Sequence, residues 1–196
     1  MYSVSRSHTL VLTAVAVVTV LLGALLLSGC TSRTSQSDSS QLASTDASGA
    51  PLFPETTPKP SSPPPPPMLD DPRTAVTSYL FWISYAYRTL HSDVASKTFD
   101  NYEEVRVSSY VQYNIQEGRA IDQRLLKANI RSWESKGSTA TVALHEEWAY
   151  RYISMKTHKY NSPVNYASYE TTYTLVKEAN DWLVHSVEAS ASTPVK

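Results

Sequence analysis

The apolar positions along this chain change period three times. Leu10 to Leu27 is an apolar run interrupted by Thr13, Thr19 and Gly23, and residues 31–69 carry almost nothing apolar. From Asp71 the spacing becomes helical: Val76, Tyr79, Leu80, Ile83, Tyr87 and Leu90 recur through TAVTSYLFWISYAYRTL. Asp71-Pro72 supplies an N-cap followed by proline at the first helical position. Ser92-Asp93 opens a second short helical segment, VASKTFDNY. A third runs through EEVRVSSYVQYNIQEG and stops at Gly118. Beyond Gly118 the period falls to two. LLKANIRSW, TATVALHEEWAYRYISM, ASYETTYTLVKE and WLVHSVEAS read as strands, separated by Lys136-Gly137-Ser138, NSPVN and Ala179-Asn180-Asp181. Three helices followed by about four antiparallel strands predict an α+β fold, with the helices packed in a curved sheet.

Composition divides the chain at the same places. Ten of the twelve prolines lie between Pro51 and Pro72, and apart from Tyr2 and Phe53 every aromatic lies between Tyr79 and Trp182. Only the second region can build a core. The expected organisation is therefore 1–29 as a signal segment, 30–69 as a tether, 70–190 as the folded domain and 191–196 as a disordered tail. The Ser/Thr-rich half of the tether reads as flexible coil. Its end, with Pro63 to Pro67 consecutive, reads as a polyproline II spacer. Fully extended, the tether would reach roughly 100 Å at about 3 Å per residue. The functional alternative is that the prolines are a docking ligand for an aromatic groove.

The first 30 residues carry the most specific motif. A start containing Arg6 and His8, an apolar middle and a small-residue ending form a signal-peptide pattern. Leu27-Ser28-Gly29-Cys30 resembles the bacterial lipobox, with cleavage after Gly29. The resemblance implies that Cys30 is lipidated and holds the protein to a membrane, outside the cytoplasm. Cys30 is the only cysteine, so an exported domain here must be stable without an internal disulfide. A net charge of −1 offers no basic face for nucleic acid.

The strand pieces also resemble a family. TATVALHEEWAYRY is similar to the long bent strand, and SYETTYTLVKEANDWLVHSV to the closing hairpin, of the nuclear transport factor two-like fold, the cystatin-like or ketosteroid-isomerase-like cone. The resemblance covers residues 72–190 and implies a curved sheet wrapped round the first helix. Extracytoplasmic relatives of this fold occur on lipoproteins and sensor proteins. The intermembrane-space domain of a chloroplast division protein shows a similar strand pattern. The fold hosts both enzymes and binding modules and does not choose between them.

Candidate chemistry centres on LHEEWAYRY, residues 144–152. Strand parity puts Val142, Leu144, Glu146, Trp148, Tyr150 and Tyr152 on one face, and His145, Glu147 and Arg151 on the other. The first face is the more apolar and is expected to pack on the first helix. Glu146 then becomes the one inward carboxylate. Burial favours a neutral carboxyl, the condition for a general base near pH 7. The plainer reading is a carboxylate held by a tyrosine or arginine at the mouth of the cone. Glu146 and Glu147 point opposite ways and cannot flank one substrate. His145 and Glu147 share a face, but no third metal ligand joins them, and a cross-strand charge cluster is the better reading. No cofactor motif is present. The leading expectation is a non-enzymatic binding or scaffolding module for an envelope protein or glycan. Its binding surface is expected round Trp148, Arg151 and Tyr169, and a homodimer through the sheet is compatible with the fold. The alternative is a ketosteroid-isomerase-like enzyme or carrier using Glu146.

Overall fold

The computed structural model describes residues 52–54 and 56–192. Leu27, Ser28, Gly29 and Cys30, the Ser/Thr-rich half of the tether and residues 193–196 lie outside the described residues. Among the described residues no helix is long and apolar enough to cross a membrane.

Helix α1 (Pro72–Thr89) forms as its spacing requires. The Asp71 carboxylate accepts the Arg73 backbone N–H at 2.9 Å, with Pro72 in the first turn. A hydrogen bond from the Arg73 side chain holds the Asp71 carboxyl at a pKa of about 2, so the cap stays charged through the acid range. Leu90 ends the helix in the left-handed region, its N–H bonded back to Ala86. Ala75, Val76, Tyr79, Leu80, Ile83, Ala86 and Tyr87 form the buried stripe.

The next segment differs from expectation. VASKTFDNY does not form one helix: Ser92–Thr98 is a 3-10 turn, and α2 (Asn101–Gln116) already includes Asn101 and Tyr102. Asp100 decides the boundary. Its carboxylate accepts the N–H groups of Tyr102 at 3.0 Å and Glu103 at 3.2 Å, an N-cap that starts the helix two residues ahead of expectation. The same carboxylate meets His185 Nδ1 at 2.6 Å, and Tyr102 stacks on the His185 ring. The start of α2 is thereby tied to the last strand.

Four antiparallel strands follow in the order of the chain: β1 (Arg119–Lys136), β2 (Thr139–Ser154), β3 (Asn165–Glu178) and β4 (Asp181–Ala191). The expected α+β class and strand order are both observed. β1 starts six residues earlier than its LLKANIRSW pattern because RAIDQR also pairs with β2. Asp122 interrupts the apolar alternation there, yet it is buried. Arg88 of α1 pairs with it, and the Tyr160 hydroxyl donates to it at 2.5 Å. Two register shifts in β1, after Leu125 and after Ile130, bend the hairpin. α1 lies in the concave side of the sheet, where it meets Val142, Leu144, Trp148, Tyr173, Leu175 and Val184. Phe99, Val107 and Val111 close the core from the second helical layer.

Two edges of the domain also differ. Residues 56–69, expected to stand clear as a spacer, lie on the domain. Trp82 Nε1 donates to the Pro65 carbonyl at 3.1 Å, and the Trp182 N–H donates to that of Leu69 at 2.7 Å. The reason is that prolines lack N–H groups but keep carbonyls, and α1 and β4 present donors to them. At the other end Ala191 still belongs to β4, and Ser192 N–H bonds to the Ser168 carbonyl at 2.8 Å. The strand therefore runs one residue into the segment expected as tail, and Ser192 adds one backbone bond beyond it.

Replacing Asp100 by alanine removes both the α2 cap and the His185 partner. It should cost about 1–2 kcal/mol in urea unfolding followed by tryptophan fluorescence. Asp100→Asn keeps the cap and should recover most of that loss. Equal losses in the two variants would assign the stabilisation to the His185 pair instead.

Candidate functional site

Between α1, α2 and the concave face of the sheet lies a cavity of about 290 Å³. Parity along β2 built it as expected. Val142, Leu144, Glu146 and Trp148 point inward and are buried, while Tyr150 and Tyr152 are half-buried. Tyr79 and Tyr87 come from α1, Tyr110 from α2, and Tyr169 and Tyr173 from β3. Seven tyrosines in all share the lining with Trp148. The rings meet edge to face, Tyr79 against Tyr173 at 5.9 Å and Tyr150 against Tyr152 at 5.7 Å. The Arg119 guanidinium lies 4.1 Å over Tyr152 and 5.7 Å from the centre of Tyr113.

Glu146 is 3% exposed, and its carboxylate is heavily engaged. Oε1 accepts the Thr171 hydroxyl at 2.5 Å and the Tyr173 hydroxyl at 2.6 Å; Oε2 accepts Trp148 Nε1 at 2.8 Å. All three donors follow from register. Trp148 is two residues on along the same face. Thr171 and Tyr173 oppose Leu144 and Val142, the inward neighbours of Glu146 along β2. Burial, reinforced by the Glu146 charge, pushes the Tyr173 phenol well above its ordinary value, so it remains a donor. This is the hydrogen-bonded carboxylate of the plainer sequence reading, with Thr171 and Trp148 added to the expected tyrosine.

A second buried network borders the cavity. Glu103 is 1% exposed on α2. It accepts the Tyr79 hydroxyl and the Arg106 guanidinium, whose Nε lies 2.9 Å from Oε2, and Arg106 Nη2 reaches the Tyr79 hydroxyl at 2.8 Å. Burial works most strongly against the Arg106 charge, but the hydrogen bond to Glu103 together with the charge interactions with Tyr79, Glu103 and Tyr87 outweighs it and raises the pKa. Burial alone dominates at Tyr79 and Tyr87, whose phenols are both pushed up. The sequence reading missed Glu103 and Arg106. Their i,i+3 spacing on a helix looks like an ordinary surface pair. The only available signal was Glu103 lying one helical turn ahead of the apolar position Val107.

The surface expected round Trp148, Arg151 and Tyr169 does not exist as one patch. Trp148 and Tyr169 line the cavity. Arg151, at an odd position, lies on the convex side. Its Nε donates to the Ser162 carbonyl and Nη1 to that of Pro54, both at 3.0 Å, and its guanidinium stacks on Tyr160. The separation is one of strand parity. His145 and Glu147 do form the expected cross-strand cluster. His145 meets Glu170 at 2.6 Å and Glu147 at 3.3 Å, and Lys127 reaches Glu147 at 3.3 Å. The Lys127 hydrogen bond lowers the Glu147 pKa. Among the described residues no group of three metal-ligating side chains converges.

No family model matches the chain, and no curated protein matches it in sequence. Solved structures do match. The intermembrane space region of chloroplast protein ARC6 superposes with a TM-score of 0.55 at 21% identity, covering 65% of this chain and 100% of that one. A nuclear transport factor 2-like superfamily protein from Salmonella enterica serovar Typhimurium LT2 gives a TM-score of 0.44 at 9% identity, over 62% of this chain and 91% of that one. A ketosteroid isomerase-like protein from Erwinia carotovora atroseptica SCRI1043 gives 0.39 at 13% identity, over 63% and 95%. The class defined here is an α+β cone: helices in a curved four-stranded antiparallel sheet, enclosing an aromatic cavity with a carboxylate in its wall. The ARC6 region shares this fold over its whole length.

Glu146→Gln retains the shape but puts an amide N–H₂ against donors. It should lower stability by about 1–3 kcal/mol in chemical denaturation. Tyr173→Phe should cost clearly less in that background than in wild type. Additive losses would show that the Glu146–Tyr173 contact does not hold the sheet.

Proposed function

We propose that this chain is a membrane-anchored envelope lipoprotein whose cone domain is a non-enzymatic binding module, and that the tyrosine-lined cavity is where it meets an envelope protein or glycan. One observation carries the reading: among the described residues, the one carboxylate in the cavity wall, Glu146, already holds three donors. An ionised carboxylate offers about four lone-pair sites. With three occupied, Glu146 orients Trp148, Thr171 and Tyr173 and has little left to take a proton from a substrate. This weighs against the ketosteroid-isomerase-like alternative. The cavity is also near the lower end of small-molecule pockets, which span roughly 300–1,000 Å³. It suits one inserted side chain or one sugar ring, recognised by ring stacking and phenol hydrogen bonds.

Anchoring rests on Leu27-Ser28-Gly29-Cys30. Globomycin should cause an unprocessed precursor to accumulate, and Cys30→Ala should abolish membrane retention in fractionated cells. A Cys30→Ala protein still processed and retained would reject the lipid anchor.

For the cavity, a photo-crosslinking residue at Tyr152, at the mouth, should capture a discrete partner in cells, whereas one at Glu147 on the convex face should not. Tyr169→Ala should reduce the Tyr152 product about tenfold. Capture from Glu147 alone would move the interface to the other face. A Glu146→Gln protein that stays folded and keeps its partner but loses its cellular phenotype would restore the enzyme reading.

A further inference from the structure

Residues 56–69 form a strap across α1. The strap runs antiparallel to the helix. Ser78 Oγ receives the Met68 N–H at 2.9 Å, Trp82 Nε1 donates to the Pro65 carbonyl at 3.1 Å, and Arg88 at the far end of α1 donates to the Lys59 carbonyl. Beyond it, the Tyr160 N–H reaches the Thr56 carbonyl at 3.1 Å. Trp82 and Tyr85 stand edge to face, 6.1 Å apart, and Phe81 beside them is 48% exposed, an unusual exterior for a helix whose other side fills a core.

These features match the physics of polyproline II recognition. Such a helix has no internal hydrogen bonds, so its carbonyls are free to accept, and aromatic side chains furnish the groove into which its ridges fit. A tryptophan indole donating to a proline carbonyl performs both tasks with one side chain. Clefts of about 530 and 370 Å³ remain beside the strap, the first bordered by Pro60, Pro64 and Tyr85, the second by Pro63, Pro66 and Trp82. The proline part of the strap, residues 59–67, therefore rests on the domain by a few carbonyl bonds and ring contacts, while Leu69 at its end packs against the core.

We propose that the Phe81–Trp82–Tyr85 face of α1 is a polyproline II-binding groove whose ligand is this chain's own residues 59–67, held in cis as a releasable latch. The docked segment continues into Phe53, buried against Tyr160, and Pro54, whose carbonyl accepts from Arg151, so release of residues 59–67 lengthens the tether only when that contact is given up as well. Arg88 couples the latch to the interior, because the same guanidinium pairs with buried Asp122.

The test uses the full chain in detergent micelles, labelled with ¹⁵N at the tryptophan indoles, with Trp82→Phe identifying the Trp82 signal. A synthetic peptide of residues 56–69 is the probe. In wild type the signal should move little at about 0.1 mM peptide, because a short tether holds the cis ligand at an effective concentration in the millimolar range. Changing Pro63 through Pro67 to serine should shift the Trp82 signal while leaving those of Trp148 and Trp182 in place, which shows that the fold is kept. The same peptide should then return it toward the wild-type position. A serine strap that leaves the Trp82 signal unmoved would overturn the proposal, as would failure of the peptide to restore it. A wild-type signal that changes with protein concentration would place the strap on a neighbouring molecule and overturn the cis assignment.

Discussion

Wrapping a sheet round α1 removes three carboxylates from water, and the molecule is organised by what meets each of them. An isolated buried carboxylate is costly enough that it must be neutralised, paired or surrounded by donors. Asp122 has Arg88 and Tyr160, which join β1, α1 and the loop between β2 and β3. Glu103 has Arg106 and Tyr79, which join α2 to α1. Glu146 is held by neutral donors from β2 and β3. Each group crosses between elements, so losing one partner leaves a charge stranded where packing cannot relax it. Removing a single partner of such a buried pair typically costs about 3–5 kcal/mol.

The cavity is a consequence of the same arrangement. Tyrosine can fill a core only if its hydroxyl finds an acceptor or a route to water. The two deepest phenols, on Tyr79 and Tyr173, are spent on Glu103 and Glu146. Tyrosines farther out, such as Tyr150, Tyr152 and Tyr169, are only partly buried. A polar-tipped aromatic wall results, with its acid already committed to structure. The chemistry that makes Glu146 look catalytic in sequence, a carboxylate among aromatics, is the chemistry that engages it.

The strap alters how the proline segment contributes to the protein. A proline run is stiff and cannot donate, so it adds reach when free but few specific contacts. Here donors on α1 and β4 give it a place on the domain.

Much of this was legible in the chain. The helical stripe of α1, the alternation of β2 and β3, and the order of helices before strands each follow from a local period that burial must respect. Parity alone put Glu146 inward and separated it from Glu147. Strand β1 was half legible, because Asp122 breaks its alternation and its partners Arg88, 34 residues earlier, and Tyr160, 38 residues later, make that tolerable. Asp100 could be read as a cap only by preferring it to Ser92-Asp93, a choice that its contact with His185 on β4 settles. The sequence by itself determined which face of each element is apolar, since that is a property of neighbours along the chain. The tertiary structure decided which polar groups meet, that Trp148 and Tyr169 share a cavity without Arg151, and that the prolines lie on α1, because those partners are far apart in sequence and become neighbours only when the sheet closes.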